Sequence, residues 1–124
     1  MGRQVVHFEI IGAEPAKLRD YYAALFDWEY RVGDATTDEV SRPGEYGFVE
    51  AGTAGLNGGI GGGEGHRPRV LFYVAVPDVE AALRDAERLG GTRVLGPEPA
   101  SGEFRVGQFV DPEGNLVGVA GPLG

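Results

Sequence analysis

The first residues able to do chemistry are a histidine and a glutamate in the stretch VVHFEII, residues 5–11. Its valines and isoleucines are typical of a β-strand. Because side chains alternate along a strand, His7 and Glu9 share one face and the apolar Phe8 and Ile10 share the other. A polar pair on an otherwise apolar strand has to face water, a partner or a ligand.

His7 therefore has three interpretations, which the residues alone leave open. It could bind a metal ion, given enough further ligands. It could line a cleft as a hydrogen-bonding group or a general base, with Glu9 on the same face to orient it. It could also be a structural imidazole that is satisfied by the backbone.

The element pattern that carries this strand occurs twice along the chain. A strand, a helix and three strands follow one another from residue 5, and the same order begins again at residue 69. The tripeptide LRD of residues 18–20 recurs at residues 83–85, and Phe8 matches Phe72. A repeat this short cannot bury its own sheet face, so the halves should pack together or exchange with a partner chain.

The pattern predicts an α+β fold made of two βαβββ modules that enclose a cleft. We expect a single domain over residues 1–124, with modules at residues 1–62 and 67–124 joined by a glycine-rich connector.

Composition narrows the classes of partner and compartment. The net charge of −8 disfavours nucleic acid and anionic membranes, and it favours neutral or cationic ligands. The absence of cysteine excludes disulfides and thiol nucleophiles. No stretch resembles a signal peptide or a membrane span, so we expect a cytoplasmic protein.

Four stretches in order along the chain resemble the vicinal oxygen chelate superfamily, which includes glyoxalases, bleomycin-resistance proteins and extradiol dioxygenases. They are VVHFEI, YYAALFDWE, FYVAVPDVEAAL and DPEGNLVG, which begin at residues 5, 21, 72 and 111. The resemblance covers the whole chain. It implies the paired βαβββ fold, and because single-domain members are commonly homodimers, it also implies a homodimer.

Metal-using members of this superfamily bind one divalent ion through a first-strand histidine and three later His or Glu side chains. By resemblance, His7 occupies the first position and Glu50 a first-half carboxylate position. The second-half positions fall on Leu71 and Gly118, which offer no donor. Since a catalytic site needs about three protein ligands, we expect neither a bound metal nor another cofactor.

Strand parity also predicts which side chains face the cleft and which form the core. The cleft should be apolar and aromatic with an acidic end, as is usual for small-molecule pockets. Its expected ligand-binding residues are His7, Glu9, Phe48, Glu50, Leu71, Tyr73, Leu116 and Gly118. The aromatic residues expected in the core beneath the helices are Phe8, Phe72, and Tyr21 or Tyr22.

Three functions remain open at this level, of which an accessory domain that binds a protein partner has no support in the sequence beyond a possible dimer surface. The other two are more specific. The first is a metal-independent protein that binds a small, cationic or aromatic molecule and sequesters a drug or metabolite, as in the bleomycin-resistance branch. The alternative is an isomerase, lyase or dioxygenase in which His7, with Glu9 or Glu50, acts as the base or as part of a metal site. The candidate catalytic residue is then His7.

Overall fold

The computed structural model describes residues 2–33, 37–100 and 104–122. The chain divides into two compact units. Residues 7–70 form the N-terminal unit, and the described residues of 1–6 and 71–124 form the C-terminal unit. The outermost ends of the predicted single domain, residues 1 and 123–124, lie outside the described residues.

The N-terminal unit contains four strands and two helices. In chain order these are β1 (Val5–Gly12), α1 (Pro15–Phe26), β2 (Arg31–Gly33), β3 (Tyr46–Val49), α2 (Ala51–Ala54) and β4 (Gly58–Gly62). The strand order is β2-β3-β4-β1, in which β1 and β4 are parallel and the other neighbours antiparallel. Within this unit β1 contributes its residues from 7 onward.

The C-terminal unit repeats this plan. Its elements are β5 (Arg69–Ala75), α3 (Val79–Arg88), β6 (Thr92–Pro99), β7 (Phe104–Val110) and β8 (Leu116–Pro122). The strands follow the order β6-β7-β8-β5, with β5 and β8 parallel. The predicted α+β fold with two βαβββ modules is therefore confirmed, and the short helix α2 is an addition that the sequence pattern did not indicate.

Helix α3 begins where its sequence predicts. The Asp78 side chain accepts a hydrogen bond from the Ala81 backbone N–H at 2.9 Å, which satisfies one of the unpaired amides of the first turn. The apolar side of the helix then buries Val79 and Leu83 against Val119 of β8. This small cluster forms part of the core of the C-terminal unit.

An ion pair ties the other side of α3 to β6. Two guanidinium nitrogens of Arg93 bond the two carboxylate oxygens of Glu80, each at 2.8 Å. Mainly through these hydrogen bonds, Arg93 lowers the pKa of Glu80 to about 2. The planar fork of arginine matches a carboxylate in this two-point geometry, so the pair fixes the helix orientation.

Strand β4 is built almost entirely from glycine, and aromatic rings occupy the space this leaves. A Cβ atom at Gly58 would overlap the Phe8 ring, and Cβ atoms at Gly59 or Gly61 would overlap the Tyr46 ring. All five residues of β4 are buried. The strand therefore has to lack side chains where the rings of its neighbours cross it.

The aromatic core expected from strand parity is only partly observed. Phe8 packs against Trp28 with ring centroids 5.3 Å apart. Phe72 is instead 44% exposed, so its assignment to the core was wrong. Of the two alternatives Tyr21 and Tyr22, Tyr21 is 60% exposed, whereas Tyr22 is half-buried and stacks on Trp28 with ring centroids 5.8 Å apart. The face of α1 that packs inward is the one carrying Leu18, which lies against Gly12. Tyr21 lies on the outward side of the same helix.

Among the described residues, no helix is both long enough and apolar enough to cross a membrane.

Candidate functional site

A buried acid is the centre of the candidate site. Glu9 on β1 is 2% exposed, and Tyr46 on β3 is equally buried. The Tyr46 hydroxyl donates a hydrogen bond of 2.8 Å to Oε2 of Glu9. A carboxylate removed from water needs such donors to offset its lost hydration, so this bond stabilises Glu9 in the interior.

His7 extends this pair into a line of three groups, the His7–Tyr46–Glu9 chain. Its Nε2 lies 2.9 Å from the Tyr46 hydroxyl oxygen. Because the single hydroxyl proton is donated to Glu9, the oxygen accepts from His7, and Nε2 carries the imidazole proton. Burial lowers the pKa of His7 to about 4. The imidazole is therefore neutral at pH 7.

The glycines of β4 allow this chain to form. Strand β4 lies between β1 and β3, and Glu9 pairs in register with Gly59. The Tyr46 ring crosses over Gly59 to reach Glu9, and Phe48 packs on the same ring with centroids 4.9 Å apart. A side chain at this glycine would block the tyrosine.

The sequence pattern missed Tyr46 altogether. The available signal was the run GGIGG of residues 58–62, because a buried strand without side chains needs a large neighbour to fill its surface.

The C-terminal unit contains an equivalent arrangement, in which a buried tyrosine is hydrogen-bonded to a neutral polar side chain. Gln108 on β7 donates from its side-chain nitrogen to the Tyr73 hydroxyl on β5 at 2.9 Å. Gly118 on β8 pairs with both residues in register, and a Cβ there would overlap the Tyr73 ring. The Tyr73 ring thus fills the space beside Gly118. The sequence pattern did not indicate Gln108 as part of this group.

The eight expected ligand-binding residues have different surroundings. His7, Glu9 and Phe48 are grouped around Tyr46, and Tyr73 and Gly118 are grouped with Gln108. Leu71 is buried on β5, and Leu116 is half-buried at the start of β8. The role of these eight residues in binding a ligand stays a prediction.

Glu50 differs from its expected place on the face of a strand. Strand β3 ends at Val49, and Glu50 is the residue before the first turn of α2. Its side chain is 70% exposed and forms an ion pair with Arg31 at 3.3 Å. An exposed carboxylate paired with arginine is poorly placed to serve as a ligand of a buried metal.

The donor set does not fit a divalent metal ion. Within residues 2–33, 37–100 and 104–122, no three His, Asp or Glu side chains come together in a group that could hold one. The aliphatic Leu71 and the side-chain-free Gly118 stand where the superfamily places further ligands. We therefore derive no chemistry from a metal at this site.

Comparison with models of known protein families identifies the family of this chain. A family model described as a glyoxalase-like domain matches residues 7–120. The chain belongs to this family. The resemblance to the vicinal oxygen chelate superfamily is thereby confirmed over nearly the whole sequence. The sequence matches no curated protein.

Solved structures show the same fold at low identity. A hypothetical protein from Bacillus halodurans is 11% identical with a TM-score of 0.69, over 98% of this chain and 95% of that one. A Streptomyces coelicolor methylmalonyl-CoA epimerase variant is 13% identical with a TM-score of 0.68, and the match covers 98% of this chain and 99% of that one. A structure named as an NAD-dependent benzaldehyde dehydrogenase from Legionella pneumophila is 14% identical with a TM-score of 0.62. The match covers 94% of this chain and 97% of that one. These likenesses concern the fold alone.

The substitution Tyr46→Phe tests whether the buried hydroxyl supports Glu9. It removes the donor but keeps the ring over β4, so we expect a loss of about 1–3 kcal/mol in unfolding free energy at pH 7. Urea denaturation followed by circular dichroism measures it. The control is Tyr21→Phe, whose side chain is mostly exposed and which should change stability by less than about 0.5 kcal/mol. Equal effects of the two substitutions would contradict the assigned hydrogen bond.

Proposed function

We propose that the chain is a metal-independent small-molecule binding protein that takes a cationic ligand at the His7–Tyr46–Glu9 chain and sequesters it as a drug or metabolite. The observation that carries this proposal is the buried carboxylate of Glu9, which is 2% exposed and bonded by a neutral phenol. Buried polar networks of this kind are costly to maintain, and titratable groups in them are often functional.

The charge of the site supports a cationic ligand. His7 is neutral at pH 7 because burial lowers its pKa to about 4, so it adds no positive charge to the group. The carboxyl of Glu9 is the acidic group of the site, and the Tyr46 hydroxyl donates a hydrogen bond to its Oε2. A protonated amine offers donors and the complementary charge. The net charge of −8 attracts such a compound over longer distances.

The aromatic surroundings support the same class of ligand. Phe48 and His7 are only half-buried, and their ring centroids lie 4.9 Å and 6.4 Å from that of Tyr46. Aromatic faces attract cations, with about 0.5–2 kcal/mol per contact. A compound that combines an amine with an aromatic ring would use both features.

Thermal-shift measurements test the proposal with bleomycin and a panel of aromatic amines, each amine paired with its neutral isostere. A true ligand at a hundredfold excess over Kd adds about 2.7 kcal/mol, which raises Tm by about 10 °C. We expect the shift for a cationic compound alone, in the presence or absence of EDTA. Glu9→Gln should abolish it.

Glu50→Gln is the matched control, because it changes net charge equally at an exposed ion pair. It should leave the shift intact. If EDTA removed the shift, or if both glutamine variants lost it alike, the proposed site would be wrong.

A proton-transfer enzyme is the second candidate, and the continuous hydrogen bonding from His7 through Tyr46 to Glu9 favours it. The lowered pKa of His7 makes it a weak base at pH 7, so Glu9 would accept the proton. The probe is methylmalonyl-CoA in D₂O, chosen because structural neighbours are epimerases of that thioester. Deuterium uptake at its C2 that Glu9→Gln abolishes would favour this candidate, and uptake at the buffer rate would exclude it for this compound.

A further inference from the structure

Three basic side chains meet where the glycine-rich connector and the start of β5 lie against the segment that precedes β3. Nη2 of Arg69 lies 3.5 Å from Nδ1 of His66. Burial and the positive charges of Arg69 and Arg42 lower the pKa of His66, so both guanidinium groups act on one imidazole, which is neutral at pH 7. We call Arg42, His66 and Arg69 the basic cluster. All three belong to the N-terminal unit.

Backbone carbonyls hold both guanidinium groups in place. Arg42 donates from Nε and Nη2 to the carbonyl of Glu64, at 3.2 and 3.1 Å. Arg69 donates from Nη1 to the carbonyl of Arg67 at 3.1 Å and from Nη2 to that of Val40 at 3.2 Å. A carbonyl is uncharged, so it orients a guanidinium group without neutralising it. The cluster therefore presents two positive charges whose orientation is set before any ligand binds.

The lack of a carboxylate partner distinguishes these two arginines from others in the chain. Four arginines form ion pairs with carboxylates at 2.8–3.3 Å, namely Arg31, Arg84, Arg88 and Arg93. Within residues 2–33, 37–100 and 104–122, Arg42 and Arg69 form none. Acids are not scarce, because the chain has 19 Asp and Glu for 11 Lys and Arg. Two arginines oriented together in this way suit an anion from outside the chain.

We propose that the basic cluster binds the phosphate group of a small molecule. The planar fork of arginine matches the oxygens of a phosphate, and a charge-assisted hydrogen bond is about twice as strong as a neutral one. A guanidinium group has about five N–H donors, and the carbonyl bonds occupy two of them in each arginine. Arg42 is exposed and Arg69 is half-buried, so the remaining donors can meet a ligand.

An open cavity beside Arg42 has room for the rest of such a molecule. It lies between Arg42 and the start of α1, and its volume is about 600 Å³. Three acidic side chains also line it, Glu14, Glu45 and Glu64. They would repel a second anionic group, so we expect the phosphate at the basic cluster and an uncharged or cationic organic part in the cavity.

The overall charge limits the occupant to a small molecule. The net charge of −8 repels an extended polyanion such as a nucleic acid. Asp38 and Glu39, which are exposed and close to Arg42 in sequence, add to that repulsion. The basic cluster shares no residue with the His7–Tyr46–Glu9 chain, so the inference does not rest on the function proposed for that chain.

Imidazole NMR of the full chain tests the inference, because the chain has two histidines, His7 and His66, and only His66 belongs to the cluster. We expect sodium phosphate to shift the His66 signals saturably and to raise the pKa of His66, since a bound dianion stabilises the imidazolium, while the His7 signals stay unchanged. Adenosine monophosphate should act in the same way, and adenosine, which has no phosphate, should not. Tighter binding of the monophosphate than of inorganic phosphate assigns the site to a phosphate ester, and equal or weaker binding assigns it to the free ion. No saturable shift with either compound, or an equal shift with sodium chloride at the same ionic strength, would overturn the inference.

The substitution Arg42→Gln gives a second readout, with Arg88→Gln as the matched control that removes the same charge at an exposed arginine of α3. We expect Arg42→Gln to raise the Kd for inorganic phosphate at least about tenfold, because it removes a charged donor, and Arg88→Gln to leave the Kd within about twofold. Circular dichroism checks that both variants are folded, and the titration of the native chain stands in either case. Equal Kd values for the two folded variants would refute the assignment of the phosphate to the basic cluster.

Discussion

The hydrogen bond between the Tyr46 hydroxyl and the Glu9 carboxylate is the interaction on which the N-terminal unit depends. A buried carboxylate without donors would cost several kilocalories per mole, and the tyrosine supplies one by reaching across an intervening strand. That reach requires β4 to have no side chain at Gly59 and Gly61, where the ring crosses. The glycine-rich composition of β4 thus follows from the burial of Glu9 on β1.

The two halves share a backbone plan and differ in chemistry. In each, a buried tyrosine crosses a glycine of the middle strand to a polar side chain, Glu9 in one and Gln108 in the other. The amide is neutral, so the charge that we propose for ligand binding belongs to the N-terminal unit. The helices differ in the same way, because α3 is charged outside and α1 is aromatic.

The fold could be predicted from the sequence because it depends on local patterns that occur twice. Alternation along β1 placed His7 and Glu9 on one face, and the LRD tripeptide aligned the helices. The partner of Glu9 could not be predicted in this way. Tyr46 lies 37 residues further along, and its contact depends on β4 lying between β1 and β3, an order that periodicity does not contain.

Other expectations failed for definite physical reasons. Glu50 was assigned to a strand face by parity, but β3 ends one residue earlier and the chain turns into α2. Phe72 was assigned to the core by strand parity, although apolar side chains also form surfaces. The burial of Gln108 could not be predicted from alternation, because it depends on the hydrogen bond to the Tyr73 hydroxyl on another strand.

The protonation state of His7 tests the arrangement of the site most directly. Nitrogen-15 NMR of the imidazole, recorded from about pH 7 down to pH 4, distinguishes the neutral tautomers from the imidazolium. The account predicts a neutral ring with its proton on Nε2 at about pH 5.5, and protonation only near the lowered pKa of about 4. A histidine that titrates near its ordinary value of 6.5, or that carries its neutral proton on Nδ1, would contradict the His7–Tyr46–Glu9 chain.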